Sequence, residues 1–145
     1  MKKIILLFIS VLISFACTNA NKNNKSHNNK EVSPKNQIEI LYFHGKQRCI
    51  TCNAIEKLTK EVVNTDFSDQ LRNGDIVFKV IDISTPEGRS IADQYEVSWS
   101  SLYLNKWENG QETKNNMTDT GFSYAKNEPE IFKDKIKNKI NELLN

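Results

Sequence analysis

An α/β fold, with a mixed four-stranded sheet flanked by helices on both faces, is what the sequence predicts over residues 38–145. Three observations predict it. Two short runs rich in β-branched and aromatic residues, 38–43 and 76–83, are each followed by a stretch whose apolar residues recur at helical spacing. A shorter apolar run and a hairpin-type turn come next. The chain then closes on a long amphipathic stretch with lysines along its other side. The order is β-α-β-α-β-β-α in about a hundred residues, enough to bury a self-supporting core.

Ile38-Glu39-Ile40-Leu41-Tyr42-Phe43 has the composition of a buried strand, and Gly45 breaks it. After Cys52, Ile55, Leu58, Val62 and Val63 fall on one side of a helix that starts at or near the cysteines, with Glu56 and Lys60 placed for an i, i+4 pair. Asn73-Gly74-Asp75 signals a turn. Residues 76–83, IVFKVIDI, form the clearest strand in the chain and are predicted to be central. Ser84-Thr85-Pro86-Glu87 has the spacing of a capping box with proline in the first turn, so a helix should run through Ile91 and Ala92 to about Tyr95. Leu102-Tyr103-Leu104 gives a short third strand, Glu108-Asn109-Gly110-Gln111 a hairpin turn, and 113–118 an edge strand. The last helix opens at Glu128-Pro129-Glu130 and carries an apolar stripe of Ile131, Phe132, Ile136, Ile140 and Leu143.

The beginning of the chain reads as an address rather than as structure. Lys2 and Lys3 precede an almost unbroken apolar run, 4–15, the charged and apolar regions of a secretory signal and short for a membrane span. The run ends at Ser14-Phe15-Ala16-Cys17, which resembles the lipobox of bacterial lipoproteins, with Ser14 where Leu is usual. The resemblance implies a signal peptide over 1–16 and lipid on Cys17; ordinary secretion with a stray cysteine is the alternative. Residues 17–37 are dominated by Asn and Lys and read as a disordered tether. Such a chain has a root-mean-square span of about 25 Å, enough to hold a small domain clear of a bilayer. The expected location is therefore the cell envelope, on the periplasmic side, anchored at Cys17.

The chain has 20 Lys plus Arg and 18 Asp plus Glu, and two of the lysines lie in the signal, so charge balances after Cys17. Without a basic excess there is no electrostatic support for binding nucleic acid. Three cysteines are too few for a disulfide-stapled miniprotein, and with Cys17 lipidated an isolated pair remains. An exported dithiol favours redox work.

That pair lies in Lys46-Gln47-Arg48-Cys49-Ile50-Thr51-Cys52, between the first strand and the first helix, and here the domain resembles the thioredoxin family. In that family a C-x-x-C opens the first core helix. The helix amino terminus, with its unpaired N–H groups and positive dipole end, favours a thiolate. The resemblance implies Cys49 as nucleophile and Cys52 as resolving thiol, together a redox-active disulfide. Arg48 either lowers the Cys49 pKa further or is a solvated bystander. His44 either tunes the thiols or packs at a strand end. The sequence departs from the family in three places. Arg48 replaces the usual tryptophan, and Ile50-Thr51 replace Gly-Pro; Tyr42 or Phe43 stands where many thioredoxins bury an acid; and Ser101 occupies the place of the cis-proline, so this loop is either trans or held cis. Trp99 either offers an apolar face beside the thiols or packs before the third strand.

The resemblance implies a monomeric thiol:disulfide oxidoreductase without cofactor, acting on protein thiols and disulfides with a redox partner, and touching the membrane through its anchor. Two further readings are a Cu(I)- or Zn-binding module built on the C-x-x-C, and a thioredoxin-fold binding protein whose disulfide is static. No metal set is assigned, because the only other histidine, His27, lies in the tether.

Overall fold

The computed structural model describes residues 36–145, all within one unit of the chain, Glu31–Asn145. The expected signal segment 1–16, Cys17 and the tether up to residue 35 lie outside the described residues.

Strand β1 spans Gln37–His44, one residue earlier than expected, and its six inner residues are all buried. Helix α1 follows at Ile50–Asp66, a short α2 at Ser68–Asn73, and β2 at Ile76–Asp82. Helix α3 is Pro86–Gln94, β3 Ser101–Glu108 and β4 Gln111–Thr113. Helices α4, Thr118–Tyr124, and α5, Pro129–Leu144, complete the order. The sheet runs β2-β1-β3-β4, with β2 parallel to β1, β3 antiparallel to β1 and β4 antiparallel to β3. It is the predicted mixed four-stranded sheet.

Alternation along β1 divides the core. Ile38, Ile40 and Tyr42 pack with Leu102, Leu104 and Ile76 under α1 and α5, where Ile55, Val62, Phe132, Ile136 and Ile140 are buried. Leu41 and Phe43 face the other way, with Ile81, Ile83 and Val97, against Ala92 of α3. Helices therefore cover both faces.

Strand β2 is an edge strand, not the central one its apolar run suggested. Only β1 pairs with it, and Lys79 and Val80 are exposed. The parallel crossover through α1 sets β2 on one side of β1, and β3 takes the other, so β1 is the strand buried on both faces. The third strand is longer than expected. Its hairpin turns at Asn109 and Gly110, both at positive φ, as a two-residue primed turn requires.

The expected edge strand over 113–118 is mostly something else. Regular pairing in β4 stops at Thr113; beyond it the chain touches β3 again at the Tyr103–Asn116 bridge, where Leu104 N–H donates to the Asn115 carbonyl at 2.9 Å and Met117 N–H to the Leu102 carbonyl at 2.8 Å. Side-chain hydrogen bonds bend the chain here: Asn115 N–H donates to Asn105 at 3.1 Å and Thr118 N–H to Asn116 at 2.9 Å. Helix α4 follows, with Gly121 set against Ile55 of α1. In α5 the buried stripe is Phe132, Ile136, Ile140 and Leu143, whereas Ile131 is exposed. Lys133 and Lys137 reach Glu61 and Asp66, so two lysines of α5 sit along its seam with α1.

Helix α3 begins against the end of β2. Its cap is Thr85, whose hydroxyl oxygen accepts from Gly88 N–H at 3.0 Å and donates to the Asp82 carbonyl at 2.9 Å. Gly88 is required there because a Cβ would lie 2.0 Å from the Asp82 carbonyl oxygen. Gly88→Ala should therefore lower stability by about 2 kcal/mol despite alanine's better helix propensity, since the obstacle is backbone rather than a mobile side chain. The urea midpoint measures it; an unchanged midpoint would mean that α3 does not approach β2 this closely.

Candidate functional site

The loop from Gly45 to Arg48 carries the chain from β1 to the first turn of α1. Cys49 is the N-cap of that helix, in extended conformation, and its sulfur accepts a hydrogen bond from Cys52 N–H at 3.0 Å. The two cysteines form a disulfide, with Cα atoms 5.0 Å apart. Cys49 is exposed and Cys52 is buried, 6 % accessible. A partner molecule can therefore reach the Cys49 sulfur, whereas the Cys52 sulfur lies behind it. First-turn residues Ile50, Thr51, Cys52 and Asn53 are uncharged, leaving the positive end of α1 unopposed at the Cys49 sulfur.

Tyr42, fully buried in β1, lies beneath this turn. Its hydroxyl donates to the Cys52 carbonyl at 2.7 Å. Burial pushes the Tyr42 phenol up, against opposing hydrogen bonds from Arg48 and Ser100. It therefore stays protonated and remains a donor. The Arg48 guanidinium sits over the Tyr42 ring, 5.6 Å from its centroid, and is ion-paired with Glu56. Arg48 thus has a fixed place and is no solvated bystander. The expected i, i+4 partnership for Glu56 gives way to this contact, which the coil of α1 brings about by turning Glu56 back toward the loop.

His44 packs at the strand end. Its Nδ1–H donates to the Gly45 carbonyl at 3.0 Å, and its ring stacks on Tyr42 at 6.2 Å. Across β2, Asp82 lies in register with His44. The Ser84 hydroxyl and N–H hold the Asp82 carboxyl below its usual range, with His44 and Arg48 adding to the effect.

The segment before β3 completes the surroundings. No cis peptide bond occurs among the described residues, so the bond into Ser101 is trans. Ser101 is buried, pairs with Phe43 and turns its hydroxyl onto the Trp99 carbonyl at 3.3 Å. Ser100, which sequence reasoning passed over, acts on the Tyr42 phenol and opposes the upward push of burial. Trp99 is not packed: it is 74 % exposed, as is Ile50 between the two cysteines. Glu56 was also missed as a site residue, and only its helical position relative to Cys49 and Cys52 hinted at it.

A β-α-β-α-β-β-α core whose first helix opens on a C-x-x-C is the arrangement the resemblance implies, and it is present here with the short helices α2 and α4 added. The fold is thioredoxin-like. Among solved structures, this thioredoxin-like chain is similar to the solution structure of a thioredoxin from Thermus thermophilus, with 15% identity over 72% of this chain and 74% of that one and a TM-score of 0.46. It is also similar to a structure described as a malarial protein, at 17% identity over 69% of this chain and 97% of that one, TM-score 0.40. Neither a protein-family model nor a curated protein matches the chain.

Chemically, the site holds two cysteine sulfurs at one helix start, three positions apart and joined in a disulfide. No helix among the described residues is long and apolar enough to cross a membrane. Among the described residues no group of three or more His, Cys, Asp or Glu side chains is arranged to hold a metal ion, so the metal-binding reading gains no third ligand there. Replacing Tyr42 with Phe should cost about 1 kcal/mol of stability, because a buried hydrogen bond to the Cys52 carbonyl is lost while the ring is kept. Urea unfolding of the oxidised protein measures this, and an unchanged midpoint would remove Tyr42 from the support of the site.

Proposed function

We propose that this protein is a thiol:disulfide oxidoreductase acting on protein cysteines in the bacterial cell envelope, held at the membrane by lipid on Cys17. The observation that carries the catalytic part is the exposed Cys49 sulfur, capping α1 and accepting from Cys52 N–H, joined to a buried Cys52. In the reducing direction the Cys49 thiolate attacks one sulfur of a substrate disulfide. An S–S bond forms between protein and substrate, and the substrate's other sulfur leaves as a thiolate that takes up a proton. Cys52 then loses its proton and attacks the Cys49 sulfur, forming the intramolecular disulfide and releasing the second substrate thiol. The substrate has gained two electrons and the dithiol has lost them; a dithiol or disulfide redox partner restores the starting state. Oxidation of substrate thiols is the same sequence reversed. Exposed Ile50, next to Cys49 in the chain, gives a partly apolar polypeptide something to lie against.

The full chain carrying Cys17→Ser leaves only the pair to titrate against glutathione buffers, with free thiols trapped at each ratio. A reversible transition between about −270 and −120 mV is expected, the span of known exchange proteins. A pair that stays oxidised throughout, or never closes, would overturn the exchange reading and favour a static scaffold. The anchor is tested separately by fractionating cells: the unaltered chain should partition with membranes and the Cys17→Ser variant should be released. Equal partitioning of both would remove the lipid from the proposal.

A further inference from the structure

Arg48 and Glu56 are an unusual pair to find beside a nucleophilic sulfur, because their charges cancel. Arg48 immediately precedes Cys49, and its cation would favour the thiolate if it acted alone. It is instead held by Glu56, and side-chain exposures of 26% and 24% make the pair better shielded than a surface ion pair. The guanidinium is fixed from a second side by the Tyr42 ring, and Tyr42 in turn holds the Cys52 carbonyl. The Arg48 Nε–H is buried with no hydrogen-bond partner, so the side chain's position follows from its other contacts.

We propose that Glu56 is a positioning residue of the dithiol site: by holding Arg48 over Tyr42 it limits how far that cation stabilises the Cys49 thiolate, and so sets the acidity of Cys49. The consequence for redox potential rests on the exchange reading; the acidity itself does not. A less acidic Cys49 destabilises the reduced state's thiolate and makes the pair more reducing. Other charged or titratable groups face this corner: His44 at the end of β1, Asp82 at the end of β2, Lys46 in the loop and the Tyr42 phenol. They are common to every variant compared below, so a difference between variants reports on Arg48 and Glu56.

The test is the pH profile of iodoacetamide alkylation at Cys49 in the reduced full chain carrying Cys17→Ser. It is compared for the parent, Glu56→Gln, Arg48→Met and the double variant. Glu56→Gln keeps the shape of the side chain and removes its charge. It should move the profile to lower pH by about half a unit, giving roughly threefold faster alkylation below the midpoint. In the Arg48→Met background the same replacement should leave the profile nearly unmoved. An equal shift in both backgrounds would mean that the carboxylate acts on the sulfur directly, and no shift in either would mean that the pair has no hold on Cys49; each overturns the proposal. A Cys49 whose profile shifts as expected, in a protein that never cycles with glutathione, would overturn the exchange reading and leave the role of Glu56 intact.

Discussion

The Tyr42 hydroxyl, buried and bonded to the Cys52 carbonyl, is the contact through which the sheet positions the cysteines. A helix start offers a sulfur its N–H groups only if the first turn is held in place, and the first turn of a helix frays readily. Tyr42 supplies that hold from the one strand buried on both faces, so the rigidity of the core reaches the exposed site in a single step. Its ring also meets the Arg48 guanidinium, which ties the loop before α1 to the same strand.

The Tyr42 phenol is kept protonated by burial. A donor there supports backbone, through its bond to the Cys52 carbonyl. Of the charged groups nearby, Arg48 is paired with Glu56, and Asp82 is held by Ser84. What remains uncompensated at Cys49 is the end of α1 itself, a fixed partial charge that belongs to the backbone and does not depend on any side chain. The loop of Trp99, Ser100 and Ser101 reaches the site without a cis bond, because Ser101 is already committed to the β3 ladder and to the Trp99 carbonyl.

Elements with strong local signals were legible. β1, α1, α3 and α5 announce themselves by period, cap and breaker, and the Asn109-Gly110 turn by residue type alone. Elements settled by partners were not. The run at 76–83 looks as apolar as a central strand, yet becomes an edge because β3 occupies the far side of β1. Residues 113–118 have strand composition, but Asn105 and Asn116 capture their backbone groups and turn the chain into α4. Ile131 belongs to the stripe by spacing and lies at its rim in space.

By itself the sequence determined the order of strands and helices, the C-x-x-C at a helix start, and hence which sulfur is exposed, because these depend on side-chain period and on the geometry of a helix terminus. Tertiary structure alone decided that Tyr42 lies under Cys52, that Glu56 answers Arg48 eight positions away, and that Ser101 is buried beside Phe43. Those contacts join residues whose neighbourhood is created only when β1, α1 and the segment before β3 pack together. No local pattern encodes such a distance, since each side chain would serve equally well in solvent until the core brings its partner within reach.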